Sequence, residues 1–352
     1  MVIELVETKK RMKSFNQNTM ALKVGILGGG SWGTTVAALI AKNNPTIMWA
    51  RDQKTVDEIN TKHRNEKYLE GFLLPESLKA SSSLQTTLQD ADFIITGVPS
   101  QSSRSVLEAA RPYIRPWVPI VSLAKGLEQG SKMRMTEIIE SILPGHPVGV
   151  LTGPNLAKEI MQGQAAAAVL AMVDVRIAQE LQKILRTGLF RVYTNDDVIG
   201  CELAGALKNV IAIAVGMGDG MGAGDNTRAA VITRGLAELT RLGVALGGKS
   251  ATFAGLAGMG DLIATCTSPL SRNRHVGIQL GKGRTIQEII EEMSMVAEGV
   301  KTSGVVVELA KEHNIEMPIS EQVFRVVSGE CSPTTAFTGL LKTRTRSESD
   351  PG

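Results

Sequence analysis

A lysine set in the middle of an apolar, alanine- and glycine-rich run is the most chemically pointed feature of this chain: Glu202-Leu203-Ala204-Gly205-Ala206-Leu207-Lys208-Asn209. Burying an ammonium group is expensive, so Lys208 is either ion-paired or snorkelling, or a group whose desolvated amine exchanges a proton near neutral pH. Asn209 adds a donor suited to a substrate oxygen. Downstream, Gly258-Met259-Gly260-Asp261 places a carboxylate just after a glycine-rich turn. There Asp261 serves as a helix N-cap or anchors a hydroxyl or the lysine. Ser271-Arg272-Asn273-Arg274 follows, a compact donor set that suits a phosphate or another anion, or a solvated loop. Together these residues read as proton transfer beside an anion grip.

Near the other end of the chain, Val24-Gly25-Ile26-Leu27 runs into Gly28-Gly29-Gly30-Ser31-Trp32-Gly33 and an alanine-rich helical segment. This is a G-x-G-x-x-G turn in strand–turn–helix context. Gly28 makes the tight turn, Gly30 lets a pyrophosphate approach, and Gly33 allows the helix to touch the strand. The helix N-terminus offers unpaired N–H groups to the phosphates. A dinucleotide site is the reading this context favours. At the end of the next strand, Arg51 stands where such folds place the group that meets the ribose 2′ position, with Asp52 after it. A guanidinium suits a 2′-phosphate, so NADP is preferred, with NAD still open through Asp52; an arginine solvated on a loop is the other reading of Arg51.

The elements that must position these groups fall into two blocks. Strand-like runs at 23–27, 46–50, 92–98, 119–127 and 147–155, the last ending in a Gly-Pro turn, alternate with helical segments and deliver their turns to the same edge. That pattern predicts a Rossmann-type α/β domain with a mostly parallel sheet. The stretch 54–90 reads as helix and loop. A strand pair, 165–172 and 190–193, around a helix at 175–186 completes the domain. From residue 196 helical periodicity takes over, broken at Gly216–Gly224, Gly247-Gly248, Gly258–Asp261, Gly281–Gly283 and Pro318. The expected organisation is a flexible tail at 1–20, with Met20 an alternative start, and a dinucleotide-binding domain at 21–195. An all-α catalytic domain at 196–341 and a disordered tail at 342–352 follow.

In 352 residues, 38 Lys and Arg stand against 35 Asp and Glu, too even a balance to argue for nucleic acid. No sequence pattern calls for stable membrane insertion. Cys201, Cys266 and Cys331 form neither a disulfide framework nor a metal cluster, the histidines are scattered, and a reducing cytoplasm suits them.

Five motifs occur in order: Gly28–Gly33, Ala124-Lys125-Gly126-Leu127-Glu128, Gly153-Pro154-Asn155-Leu156-Ala157-Lys158-Glu159, Glu202–Asn209, and Gly260-Asp261-Leu262 with Ser271–Arg274. Jointly, over residues 22–340, they resemble the bacterial NAD(P)-dependent glycerol-3-phosphate dehydrogenase family. The resemblance implies reversible reduction of dihydroxyacetone phosphate to sn-glycerol 3-phosphate, supplying glycerophospholipid synthesis, in a cytoplasmic homodimer. It also assigns roles. Lys208 becomes the proton donor and acceptor, and Lys125 contacts substrate and cofactor. Gly153, Asn155, Asp261, Ser271, Arg272 and Asn273 become substrate contacts, beside the Asn209 donor already read from the residues. Ser31, Trp32, Arg51, Ala157, Arg272, Val296 and Glu298 become cofactor contacts. Asn155 departs from the Thr or Ser common there but keeps a polar group. Among other functions, a related lysine-dependent hydroxyacid dehydrogenase shares the domain order; the Ser-Arg-Asn-Arg run argues instead for a phosphorylated triose. A non-catalytic NADP sensor has no use for Lys208 and Arg272 together.

Overall fold

The computed structural model describes residues 21–293 and 297–341. The tails expected at 1–20 and 342–352, and the cofactor contact expected at Val296, lie outside them. Eight strands build one sheet: β1 Val24–Leu27, β2 Thr46–Trp49, β3 Leu78–Ser81, β4 Phe93–Thr96, β5 Ile120–Ser122, β6 Val148–Thr152, β7 Ala166–Met172 and β8 Phe190–Asn195. Their spatial order is β3-β2-β1-β4-β5-β6-β7-β8. All neighbours are parallel except β6 and β7, which pair antiparallel. Successive side chains of the central strands bury on opposite faces. Ile26, Phe93, Ile95 and Val121 join one core, while Leu27, Ile94 and Ile120 join the other. A sheet covered by helices on both sides requires this continuous apolar character.

Strand β3 departs from the sequence reading, which expects only helix and loop across 54–90. It spans four residues at the sheet edge with alternating burial, too short to leave a periodic signature. It still pairs with β2 in parallel, Met48 beside Ala80.

Because β1 connects outward to β2 and the chain later returns to β4 on the other side, a crevice opens between the carboxyl ends of β1 and β4. Gly28 sits there at φ +116°, and a Cβ on it would come within 2.8 Å of the Gly97 backbone. That position requires glycine both for its dihedral and for the close approach.

After β8 the described chain is helical. The central helix Val198–Gly220 starts under an Asp197 cap that accepts from Gly200 N at 2.9 Å. It is long and apolar enough to cross a membrane, with mean hydropathy 1.8, but 89% of that window is buried inside the protein. The sequence reading breaks this helix at Gly216, yet it continues to Gly220 and only Gly222, at φ +85°, ends it. Those glycines serve packing instead. The helix Arg272–Gly281 lies so close that a Cβ on Gly216 would fall 2.1 Å from the Arg274 carbonyl oxygen, and one on Gly277 2.1 Å from that of Ile213. Likewise, the expected break at Gly258–Asp261 is a π-helical turn, Leu256–Gly260, running straight into the helix Asp261–Thr267.

Glu238 is a buried carboxylate with a structural task. It accepts from Ile319 N at 2.7 Å, Ser320 N at 3.1 Å and Ser320 Oγ at 3.0 Å, capping the helix Pro318–Val327 from outside. Burial outweighs these donors and pushes its pKa up from 4.5 to about 7. The folded state therefore holds the proton more tightly than the unfolded chain. Its stabilisation is complete below pH 4.5 and is lost as pH rises to about 7, a difference of about 3 kcal/mol. Denaturant unfolding of the parent should lose that much relative to Glu238→Gln across this window. Parallel pH profiles for the two proteins would contradict it.

Candidate active site

One cleft of about 810 Å³ runs along the carboxyl edge of the sheet and under the helical half. Its volume lies within the range of small-molecule sites. The glycine turn, Arg51 and Tyr68 line one end; Lys125, Lys208, Asp261, Arg272 and Asn273 line the other. At the turn, a Cβ on Gly30 would meet nothing within 4 Å, because that position faces the open cleft, whereas one on Gly33 would fall 2.3 Å from the Gly28 carbonyl oxygen. The helix Ser31–Ile40 begins here without a side-chain cap, so its N–H groups remain for an anion. Asn155 lines the same cleft, and both its amide nitrogen and oxygen are buried without a protein partner, as is Nε1 of Trp32. Buried polar atoms of this kind require a hydrogen-bonding occupant. The open glycine, the uncapped helix and the orphaned Trp32 nitrogen together fit a dinucleotide.

At the opposite end, one carboxylate joins two lysines. Asp261 Oδ2 lies 2.6 Å from Lys125 Nζ, and Oδ1 lies 3.0 Å from Lys208 Nζ. Asp261 and Lys208 are both almost fully buried, at 2% and 4% exposure. Lys208 Nζ also donates to Thr265 Oγ1 at 2.5 Å, and Lys125 Nζ to the Gly153 carbonyl at 2.8 Å. Each ammonium thus spends two of its three protons on protein partners and keeps one for a ligand. Burial lowers the Lys125 pKa from 10.5 to about 8, and the positive charge of Lys208 pushes the same way, while Asp261 opposes both. Of the two sequence readings of Asp261, the anchor is the one observed: its carboxylate holds lysines, and its own helix starts behind Gly260 without a side-chain cap.

The remaining predicted residues divide by what they touch. Asn209 Nδ2 donates to the Lys125 carbonyl at 2.9 Å, and its Oδ1 accepts from Asn273 Nδ2 at 2.9 Å. Asn273 Oδ1 in turn accepts from Gly299 N at 3.0 Å. The two asparagines therefore tie the lysine loop to the helices. Ser271 caps its helix through Arg274 N at 3.2 Å. Arg272 reaches the cleft, and crowding by the surrounding protein lowers its pKa. Arg274, from the same motif, turns away into an ion pair with Asp219 at 2.7 Å, so it is no part of an anion grip at this cleft. Glu298 accepts from Ser100 N at 3.0 Å and from Ser100 Oγ, closing the seam above Gly126. Ala157 opens the short helix Ala157–Met161 on the cleft wall. Arg51 is exposed at the cleft's far end, and Asp52 beside it caps a helix through Lys54 N at 3.1 Å.

Thr265 and Ser100 hold site residues in place, yet neither was singled out in the sequence. Thr265, one helical turn after Asp261, donates to the Asp261 carbonyl at 2.6 Å and receives Lys208; i, i+4 spacing on one helix was the available signal. Ser100 ends the strand–Pro turn after β4, whose place at the ligand-binding edge of the sheet was readable, though its bond to Glu298 was not. Buried Cys201 and Cys266 are unpaired, and burial raises both thiols, Cys266 to about 12, so neither is a nucleophile near neutral pH.

Sequence profiles described as NAD-dependent glycerol-3-phosphate dehydrogenase N-terminus and C-terminus match residues 23–178 and 197–338. The chain is 63% identical over 333 residues to a glycerol-3-phosphate dehydrogenase [NAD(P)+] of Sphingopyxis alaskensis, covering 95% of this chain and all of that one. It is 56% identical over 320 residues to one of Mycobacterium tuberculosis, covering 91% and 94% of the two chains. A crystal structure of glycerol-3-phosphate dehydrogenase from Coxiella burnetii superposes with a TM-score of 0.88 at 39% identity, over 92% of this chain and 99% of that one. With both halves of the chain matched, it belongs to the NAD-dependent glycerol-3-phosphate dehydrogenase family.

Proposed function

We propose that this protein is an NAD(P)-dependent oxidoreductase that interconverts dihydroxyacetone phosphate and sn-glycerol 3-phosphate, supplying glycerophospholipid synthesis. The observation that carries the reading is the Lys125–Asp261–Lys208 bridge, next to Arg272 in a cleft whose other end is a glycine turn. A bound nicotinamide dinucleotide supplies the hydride for the carbonyl carbon. The chain's own groups do the rest. Lys208 gives its remaining proton to the carbonyl oxygen and takes it back in the reverse direction. Lys125 adds positive charge beside the developing alkoxide, and Asp261 aims both lysines and raises the Lys125 pKa. Arg272 grips the phosphate dianion, with Asn273, Ser271, Asn209, Asn155 and Gly153 shaping the pocket around the triose.

For the cofactor we assign Gly28, Gly30 and Gly33 to the phosphate turn, and Ser31, Trp32, Ala157, Val296 and Glu298 to further contacts. Arg51 meets the 2′-phosphate, which makes NADP the preferred form over NAD. Residues 21–195 act as the dinucleotide-binding domain and 196–341 as the catalytic one. A cytoplasmic homodimer without membrane insertion agrees with the family resemblance and with the unpaired cysteines.

The test is spectrophotometric. NADPH absorbance should fall when dihydroxyacetone phosphate is added and stay constant with unphosphorylated dihydroxyacetone at the same concentration. Equal rates with the two would reject the phosphorylated triose as substrate.

A further inference from the structure

Beyond Arg51 the cleft carries a cation that no sequence motif announces. Lys67 lies on the short helix Glu66–Leu69 and lines the same end of the cleft as Arg51. Two hydrogen-bond anchors fix this helix to the glycine turn. Asn65, fully buried, donates from Nδ2 to the Gly29 carbonyl at 2.9 Å and to Thr34 Oγ1 at 2.8 Å. Ser31 Oγ, at the start of the turn's own helix, donates to the Tyr68 carbonyl at 2.6 Å. The backbone that bears Lys67 is therefore indexed to the turn that receives the dinucleotide phosphates.

The ammonium group itself lies 4.0 Å from Asp52 Oδ2 and 5.3 Å from the centroid of the Tyr68 ring. Its side chain is 52% exposed, so an ordinary surface pair with Asp52 would contribute little. Asp52 is committed as a helix cap through its Oδ1. Arg51 and Lys67 against this single carboxylate leave the end of β2 net positive. In a fold where a free acid at this place holds ribose hydroxyls, two cations and an engaged acid favour a phosphate there.

We propose that Lys67 is a specificity-determining residue that, together with Arg51, receives the 2′-phosphate of NADP. The proposal rests on the 2′-phosphate reading of Arg51 given above. Fragment binding separates the two. Calorimetric titration of the full-length protein with adenosine 2′,5′-bisphosphate and with 5′-AMP reads the 2′-phosphate alone, without turnover. The parent should prefer the bisphosphate, and Lys67→Ala should cut that preference about tenfold, the value of one charge-assisted hydrogen bond. Lys67→Arg should restore most of it. Unchanged preference in Lys67→Ala, with Arg51→Ala still losing it, overturns the role of Lys67 and leaves that of Arg51. Equal weakening of both fragments places Lys67 elsewhere on the nucleotide and also overturns the proposal. A parent that binds both fragments equally removes the Arg51 reading and this one with it.

Discussion

Lys208→Met is expected to lower kcat by about 10³-fold while leaving the dissociation constant for NADPH within a factor of about three. Methionine keeps the length and apolar stem of the lysine in a site only 4% exposed, and removes the proton that no other group can deliver from that position. Folding should survive, because Asp261 keeps Lys125 as its counter-ion at 2.6 Å and Thr265 still bonds the Asp261 carbonyl. Stopped-flow single turnovers would separate the proton-transfer step from binding. A kcat within tenfold of the parent, or NADPH affinity lost in proportion to turnover, would make Lys208 a packing residue and would falsify its assignment as the acid.

Asp261→Asn should do more damage, because it withdraws one charge from two partners. Two ammonium groups would then face each other across a site from which Asp261, Lys208 and Thr265 exclude nearly all water. Removing one partner of a buried ion pair typically costs about 3–5 kcal/mol. Lys125 retains some solvent access, 16% of its side chain, so about 3 kcal/mol is expected, or a melting temperature lower by roughly 4 °C for a chain of this length. The catalytic signature is a pH shift. In the parent, kcat/KM should decline as pH rises through about 8, where Lys125 gives up its proton. Asp261 raises that pKa, so its replacement moves the alkaline limb to lower pH. An unmoved limb together with an unchanged melting temperature would sink the bridge as a functional unit.

The residues proposed to do chemistry were more legible in the sequence than the partners that hold them. Lys208, Asp261 and Arg272 stand out because a charged group beside glycine or in an apolar run violates the local pattern. That Arg274 serves a different purpose from Arg272 was invisible: both are arginines in one motif, and only the helix's rotation sends one to the cleft and the other to Asp219. The glycines misled in the opposite direction. Gly216 and Gly220 read as a break because low helix propensity is a local property, whereas contact with the neighbouring helix is a tertiary one and overrides it. The sheet was readable through its buried central strands, and β3 was lost because a four-residue edge strand owes its conformation to β2, not to its own side chains.

The backbone contact between the central helix and the helix Arg272–Gly281 also bears on how this enzyme can be altered. Lys208 and Asn209 ride on one of these helices and Arg272 and Asn273 on the other, locked at Gly216 against Arg274 and at Gly277 against Ile213. Any side chain added at those glycines spreads the pair, and Lys208 then moves away from Arg272, which separates the proposed proton donor from the proposed anion grip. On the proposed roles, the distance from reacting carbon to phosphate is a gauge cut into the helix pair, and a longer or shorter substrate finds no slack on that side. Room for a different molecule has to be made on the opposite bank, at Asn155 and the loop bearing Lys125, where side chains rather than main chains set the spacing.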